Sequence, residues 1–266
     1  MNTASVGFHC PQCAHQGRQQ VHTRQTMAAR RDPIVTKVLI GINAVVFVLT
    51  SLSGGGIGRP GGQLYIDGVL IGIARSGQGF DLIGVDAGEW YRLVTGGFLH
   101  ANLIHIGFNM YLLYMLGSVL EPALGRMRFG LLYGTSLLAG SFGVMLIDPT
   151  APTVGASGAV FGLMGAMVVA QRATGINPWQ SGIGGLLAIN LVLTFAISNI
   201  SIGGHIGGLV GGAIAGALLV ELPARLRGTD RRTVELASSA LVVVFGAACV
   251  AGSLWAASHW YDPILG

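Results

Sequence analysis

Seven apolar segments dominate this chain, at roughly residues 36–52, 103–120, 129–147, 157–171, 182–199, 205–222 and 236–257. Most approach the ~20 residues that a helix needs to cross the hydrocarbon of a bilayer. Peptide groups find no water there, so each such segment is read as a helix that satisfies its own backbone. Composition agrees: 52% of the residues are hydrophobic and 10% are charged, where a soluble domain carries ~25% charged residues. Mean hydropathy is +0.64. The expected fold is an all-α polytopic membrane protein whose core is made by helices packing in lipid. The 43 glycines suit that packing, because small residues let helix backbones approach closely. Glycine also dilutes the fourth and sixth segments, and the fourth is short.

Basic residues orient the bundle. With the N-terminus inside, the cytoplasmic side holds Arg18, Arg24, Arg30, Arg31 and Lys37, then Arg126 and Arg128, then Arg172, and finally Arg225, Arg227, Arg231 and Arg232. Only Arg59, Arg75 and Arg92 fall outside. A net charge of +4 thus reflects topology, and no nucleic-acid partner is expected. The expected location is the plasma membrane, multi-pass, with the N-terminus cytoplasmic and the C-terminus outside. Residues 1–34 read as a cytoplasmic basic tail with no cleaved leader. Residues 35–222 read as the core and 223–266 as a cytoplasmic loop plus a seventh transmembrane helix. Within the core, an outer loop over 53–99 opens with the glycine-rich run Ser53–Gly62, expected to be flexible. Leu64, Tyr65, Trp90 and Tyr91 suggest that the loop lies in the membrane interface.

Three polar islands interrupt the apolar spans: His100–Asn109, Gly155–Ser157–Gly158 and Gly203–His205. Ionisable and polar groups at bilayer depth point to function, and this topology puts all three islands in the outer half of the membrane. Together they offer a serine nucleophile, a histidine base and hydrogen-bond donors for an oxyanion. Ser157 begins the fourth helix, where unpaired N–H groups favour negative charge; a plain N-cap is the alternative role. Gly158 is expected to leave room for a substrate carbonyl. Gly204, Gly208, Gly212 and Gly216 form a stripe that should draw helix six against Gly158 and Gly162 of helix four, bringing His205 to Ser157. No carboxylate is positioned to orient the imidazole, so a dyad is expected rather than a triad. His105 and Asn109 share a helix face and could donate to an oxyanion, or act as interhelical glue. His100 falls off that face and reads as structural. Metal binding by the histidines lacks an HExxH motif or a carboxylate partner.

Read together, Glu89-Trp90-Tyr91-Arg92, His100…His105…Asn109, Gly155-Ala-Ser157-Gly158 and Gly204-His205 resemble the rhomboid family of intramembrane serine proteases. The resemblance covers about residues 36–222 and implies a six-helix bundle, here with one additional C-terminal helix. It implies Ser157 as nucleophile and His205 as base. Asn109, His105 and Gly155 would form the transition-state-stabilising group, with the Ser157 backbone N–H. It also implies structural roles for Trp90 and Arg92, and ring stacking of Phe161 on His205 in place of the tyrosine that members often carry. Gly158 and Gly208 would be structural neighbours of the site. Transmembrane proteins would be the substrates, the bilayer the other partner, and catalysis would need no cofactor. A non-catalytic member that binds or traffics transmembrane clients is the rival reading. A transporter would predict inverted repeats, and none is evident.

The tail carries Cys10 and Cys13 in CxxC spacing, near His9, His15 and His22. Two cysteines and two of those histidines would make the four ligands of a structural zinc site, resembling a shortened form of the cysteine-rich zinc-binding tails of some bacterial rhomboids. A disordered tail with reduced thiols is the alternative. Cys249 reads as a small apolar residue.

Overall fold

The structure is a computed structural model that describes residues 2–3, 8–9, 32–75, 82–226, 228 and 230–259. It comprises two units, Met1–Arg31 and Asp32–Gly266. In the first, β1 (Asn2–Thr3) pairs antiparallel with β2 (Phe8–His9), Asn2 opposite His9. The proposed zinc ligands Cys10, Cys13, His15 and His22 lie outside the described residues, and of His9 only its place in β2 is described.

The second unit is helical. Its main helices are α1 (Ile34–Ser53), then, after a long loop, α4 (Leu103–Leu124), α5 (Arg126–Ile147), α6 (Ser157–Ala173), α7 (Ile183–Ala196), α8 (Ile202–Gly216) and α9 (Arg231–His259). α8 runs on through a π-helical turn, Ala217–Glu221, and Leu222–Arg225. Five of these are long and apolar enough to cross a membrane, α8 counted with its extension to Arg225. α6 has 17 residues and α7 only 14. At 1.5 Å per residue α7 is roughly 21 Å long, well short of the ~30 Å hydrocarbon core. It ends three residues before the sequence pattern suggests: Ile197 is already extended, and Asn199, with a positive φ of 72°, follows before the Ser201 cap of α8.

Two glycine stripes make the core. On α8, added Cβ atoms at Gly208 and Gly212 would run into the backbones of Gly158 and Gly162 of α6, and one at Gly216 would press on Ala166. Gly204, expected to join that stripe, has its missing side chain turned toward Ser201 and Val144 instead. A second stripe, Gly203, Gly207 and Gly211, meets Gly143 and Ala139 of α5. α8 is therefore close-packed on two sides, and α6 lies buried between its neighbours with Ala159 through Met167 all covered. α9 lays Val234, Ser238, Val242, Gly246, Cys249 and Ser253 along α5; Gly252 fits against Phe142 and Gly246 against Thr135. α1 is held at its start by Glu121 of α4, whose carboxylate accepts from the Val35 N–H, the Thr36 N–H and the Thr36 hydroxyl, each at 2.8 Å.

The outer loop is built rather than loose. The glycine-rich run does not extend as a flexible linker. It folds back on α1, with Gly61 N–H donating to the Thr50 carbonyl and Ser53 Oγ to the Gly61 carbonyl. The loop then forms α2 (Gly62–Gly68), a small hairpin of β3 (Ala74–Arg75) and β4 (Leu82–Ile83), α3 (Arg92–Thr95) and a 3₁₀ turn, Gly96–Phe98.

Candidate active site

The loop fixes the approach to Ser157. Leu70 and Thr153 exchange backbone hydrogen bonds at 3.1 and 2.8 Å, and Gly155 N–H donates to the Gly96 carbonyl at 2.9 Å. Arg92 holds that scaffold from beneath. Its side chain is 1% exposed, donates to the Ile66 and Val69 carbonyls at the end of α2, and pairs with Glu89 at 2.7 Å. Desolvation alone would raise the Glu89 carboxyl, but the Arg92 guanidinium and the Gly84 N–H outweigh it and hold it below its ordinary range. Trp90, the other half of the pair, is 61% exposed, as suits an interfacial aromatic.

Ser157 is the first residue of α6, and the N-cap is Ala156. The serine hydroxyl is therefore not spent on capping. Its Oγ lies 2.8 Å from Nε2 of His205. His205 stands on the first turn of α8, where Ser201 caps the helix by accepting from the Gly204 N–H. Phe161, one turn along α6 from Ser157, stacks on the imidazole with ring centroids 4.1 Å apart and planes 19° from parallel. Both side chains are half-buried.

The third island closes the group. Asn102 caps α4 by accepting from the His105 N–H, which sets the His105 side chain one turn above Asn109. At Gly155, φ is +126°, and an added Cβ would sit 2.8 Å from both Cε1 and Nε2 of His105 and 3.6 Å from Ser157 Oγ. The three islands thus meet around a missing side chain. Gly155 serves by vacancy rather than as a donor, since its N–H is already given to Gly96. Gly158 likewise leaves no room for a substrate carbonyl: the space beside it is filled by the Gly204 carbonyl and by Gly140. Its part, like that of Gly208, is close packing. Asn109 is buried, and its amide donates to the His105 carbonyl of its own helix at 2.9 Å. An amide has a second N–H to offer. Among the described residues, neither Asn109 nor the His105 ring hydrogen-bonds another helix, which weakens the glue alternative. His100 is fully buried, edge-on to His105 at 5.0 Å between centroids. Among the described residues no three His, Cys, Asp or Glu side chains converge as metal ligands.

One contact was not anticipated. Thr194 of α7 places its hydroxyl 2.7 Å from Nδ1 of His205. Its trace in the sequence is faint: Asn190 and Thr194 are polar residues one turn apart on an otherwise apolar helix. Nothing in that spacing says which neighbour they face.

Comparison with known proteins agrees with this architecture. Residues 87–222, just over half the chain, match the Rhomboid domain family. Rhomboid protease GluP of Bacillus subtilis is 30% identical over 194 residues, which cover 71% of this chain but 36% of that protein. The rhomboid protein YdcA of the same organism is 34% identical over 181 residues, covering 66% of this chain and 83% of its own length. Human Rhomboid-related protein 3 is 42% identical over 76 residues, 29% of this chain and 19% of that one. With the family domain spread from the outer loop to the end of α8, this polytopic membrane protein belongs to the rhomboid family.

Proposed function

We propose that the protein is an intramembrane serine endopeptidase that cuts peptide bonds in or beside the transmembrane segments of other membrane proteins. The observation that carries the reading is the 2.8 Å contact between Ser157 Oγ and His205 Nε2, made inside a family whose relative GluP is named a protease. Nε2 takes the hydroxyl proton as Oγ bonds the substrate carbonyl carbon. The carbonyl oxygen becomes an oxyanion, met by the free N–H groups at the start of α6 and by Asn109 and His105. The protonated Nε2 then gives its proton to the leaving amine as the C–N bond breaks. Water attacks the acyl-enzyme with His205 again as base, releasing the second product and restoring Ser157. No step calls for a cofactor. The site opens to the outer side of the plasma membrane under the basic-residue orientation. Zinc bound through Cys10 and Cys13 remains a proposal for the tail alone, away from this chemistry.

Purified protein incubated with single-span substrates is the test. Ser157→Ala and His205→Ala should each lower cleavage by at least about a thousandfold, with the double variant no worse than either single one, because the pair acts as a unit. Melting temperatures should stay near that of the wild type. Wild-type cleavage by His205→Ala would refute the dyad. A wild-type protein that binds such substrates yet cuts none would favour the non-catalytic reading.

A further inference from the structure

We infer that Thr194 is a positioning residue for the catalytic base: through an Asn190–Thr194 relay on α7 it fixes His205 in the tautomer that leaves Nε2 free to accept from Ser157. The inference rests on the serine–histidine reading above and deepens it.

Proton counting carries the argument. The Thr194 hydroxyl, 2% exposed, has two partners at 2.7 Å: the Asn190 carbonyl oxygen and Nδ1 of His205. A hydroxyl has one proton to give. The carbonyl can only accept, so an O–O distance of 2.7 Å requires the Thr194 proton to lie on that line. Thr194 Oγ1 must then accept from His205, which puts the ring proton on Nδ1. The neutral imidazole carries only one such proton, so Nε2 is bare. A bare Nε2 is what the 2.8 Å contact to Ser157 Oγ needs in order to receive the serine proton. The opposite tautomer would leave two oxygens facing each other without a proton at Thr194, and at Ser157 it would make Nε2–H donate to Oγ, so that the ring could not receive the serine proton. One buried threonine therefore selects the state in which the base can act.

The same bond serves in the transition state. Once Nε2 is protonated, the ring is a cation, and its Nδ1–H bond to Thr194 becomes charge-assisted and stronger. The Nδ1 proton itself never leaves the ring. A carboxylate in this position would add a full negative charge; a hydroxyl backed by a carbonyl supplies direction and a dipole. Phe161 packs on the flat of the ring and limits tilt, but a ring face cannot choose between tautomers. That choice falls to Thr194.

The test is substitution with kinetics and a structural readout. Thr194→Val keeps the shape and removes the hydroxyl; Thr194→Ser keeps the hydroxyl. With a transmembrane substrate in detergent or liposomes, Thr194→Val should lower kcat about ten- to a hundredfold, with KM near that of the wild type. Thr194→Ser should recover most of the loss. Independently of activity, nitrogen NMR of histidine-labelled protein should find His205 protonated at Nδ1 in the wild type and in Thr194→Ser, and a mixture of tautomers in Thr194→Val. Wild-type kcat in Thr194→Val, or a Thr194→Ser variant as slow as Thr194→Val, overturns the inference. If Thr194→Val does not fold, the wild-type spectrum decides alone, and a ring protonated at Nε2 overturns it. A wild-type protein that cleaves nothing would sink the protease reading while leaving that spectrum to judge the tautomer.

Discussion

Single residues here do work that their type alone does not announce. Gly155 looked like part of an oxyanion donor set and proves to be a gap into which His105 fits. Thr194 is one polar residue in an apolar span, and it reaches Nδ1 of His205. Ser157, His205, His105 and Asn109 stand out in the sequence because polar groups are expensive in a span and there are few to choose among. Thr194 was not legible because a threonine in a helix can always bond its own backbone, so it raises no alarm. His100 lies between these cases. It reads as structural in the sequence, and it is 0% exposed with neither ring nitrogen making a well-formed hydrogen bond; only a weak pull from the Phe98 backbone favours its charged form. Burial, reinforced by His105, pushes it down from 6.5 to about 3. The unfolded chain therefore binds a proton below about pH 6.5 that the folded protein refuses until near pH 3. Stability tied to His100 is intact above pH 6.5 and declines as pH falls toward 3, by up to about 1.4 kcal/mol for each pH unit. Melting curves at pH 7.5, 6 and 5 should display this decline, and His100→Gln, neutral throughout, should have a shallower one. Equal acid slopes in the two proteins would mean that His100 does not set the acid sensitivity.

At the level of elements, α8 is the organising helix. Its doubled glycines, Gly203-Gly204, Gly207-Gly208 and Gly211-Gly212, present one stripe to α5 and another to α6. Spacing by four makes the stripe toward α6 visible on one chain, Gly204 apart. The second stripe shows only once two helices are known to flank α8. The seven helices themselves were legible from apolar length, but their ends were not: α9 begins five residues before its expected start, α4 runs four past its expected end and α7 stops three short. The clamp on α1 was missed for a similar reason. Glu121 reads as a lone acid near the end of an apolar span, while its partners at Val35 and Thr36 are 85 residues away or more. The glycine stripes yield a direct prediction. Gly208→Ala drives a methyl into the Gly158 carbonyl, next to Ser157, and should separate α6 from α8. An overpacked contact costs about 1–3 kcal/mol, and the lost register should also lengthen the Ser157–His205 contact and reduce turnover. Gly134→Ala on α5 meets nothing within 4 Å and should be neutral or mildly stabilising, since alanine favours helix. Thermal melts and cleavage rates of the two variants provide the check; equal behaviour would mean that close approach of α8 to α6 is not what aligns the pair.

The whole helical unit, Asp32–Gly266, is polarised along the helix axes. At one end lie Ser157, His205, His105 and the built outer loop with Arg59, Arg75 and Arg92. At the other, Arg128 at the start of α5 donates to the Leu219 carbonyl in the π-helical turn of α8, close enough to Arg231 and Glu235 of α9 to feel their charge. Arg126, Arg172, Arg225 and Arg232 lie in the terminal turns of helices at that same end. Charge and chemistry are thus separated by the length of a span. From the positive-inside rule we propose the orientation in which the arginine-rich end faces the cytoplasm and the site faces out. The prediction can be read in living cells. An enzyme reporter that works only outside the cytoplasm should be active when fused after Gly266, beyond α9, and silent when fused after Gly228, between α8 and α9. Reversing the charge bias, by replacing Arg225, Arg227, Arg231 and Arg232 with neutral residues while adding basic ones after Gly266, should weaken the first signal and strengthen the second. An active reporter after Gly228 in the unaltered chain would mean that Ser157 opens to the cytoplasm. The dyad geometry would stand, but the substrates would have to present their cleavage sites from the opposite side of the membrane.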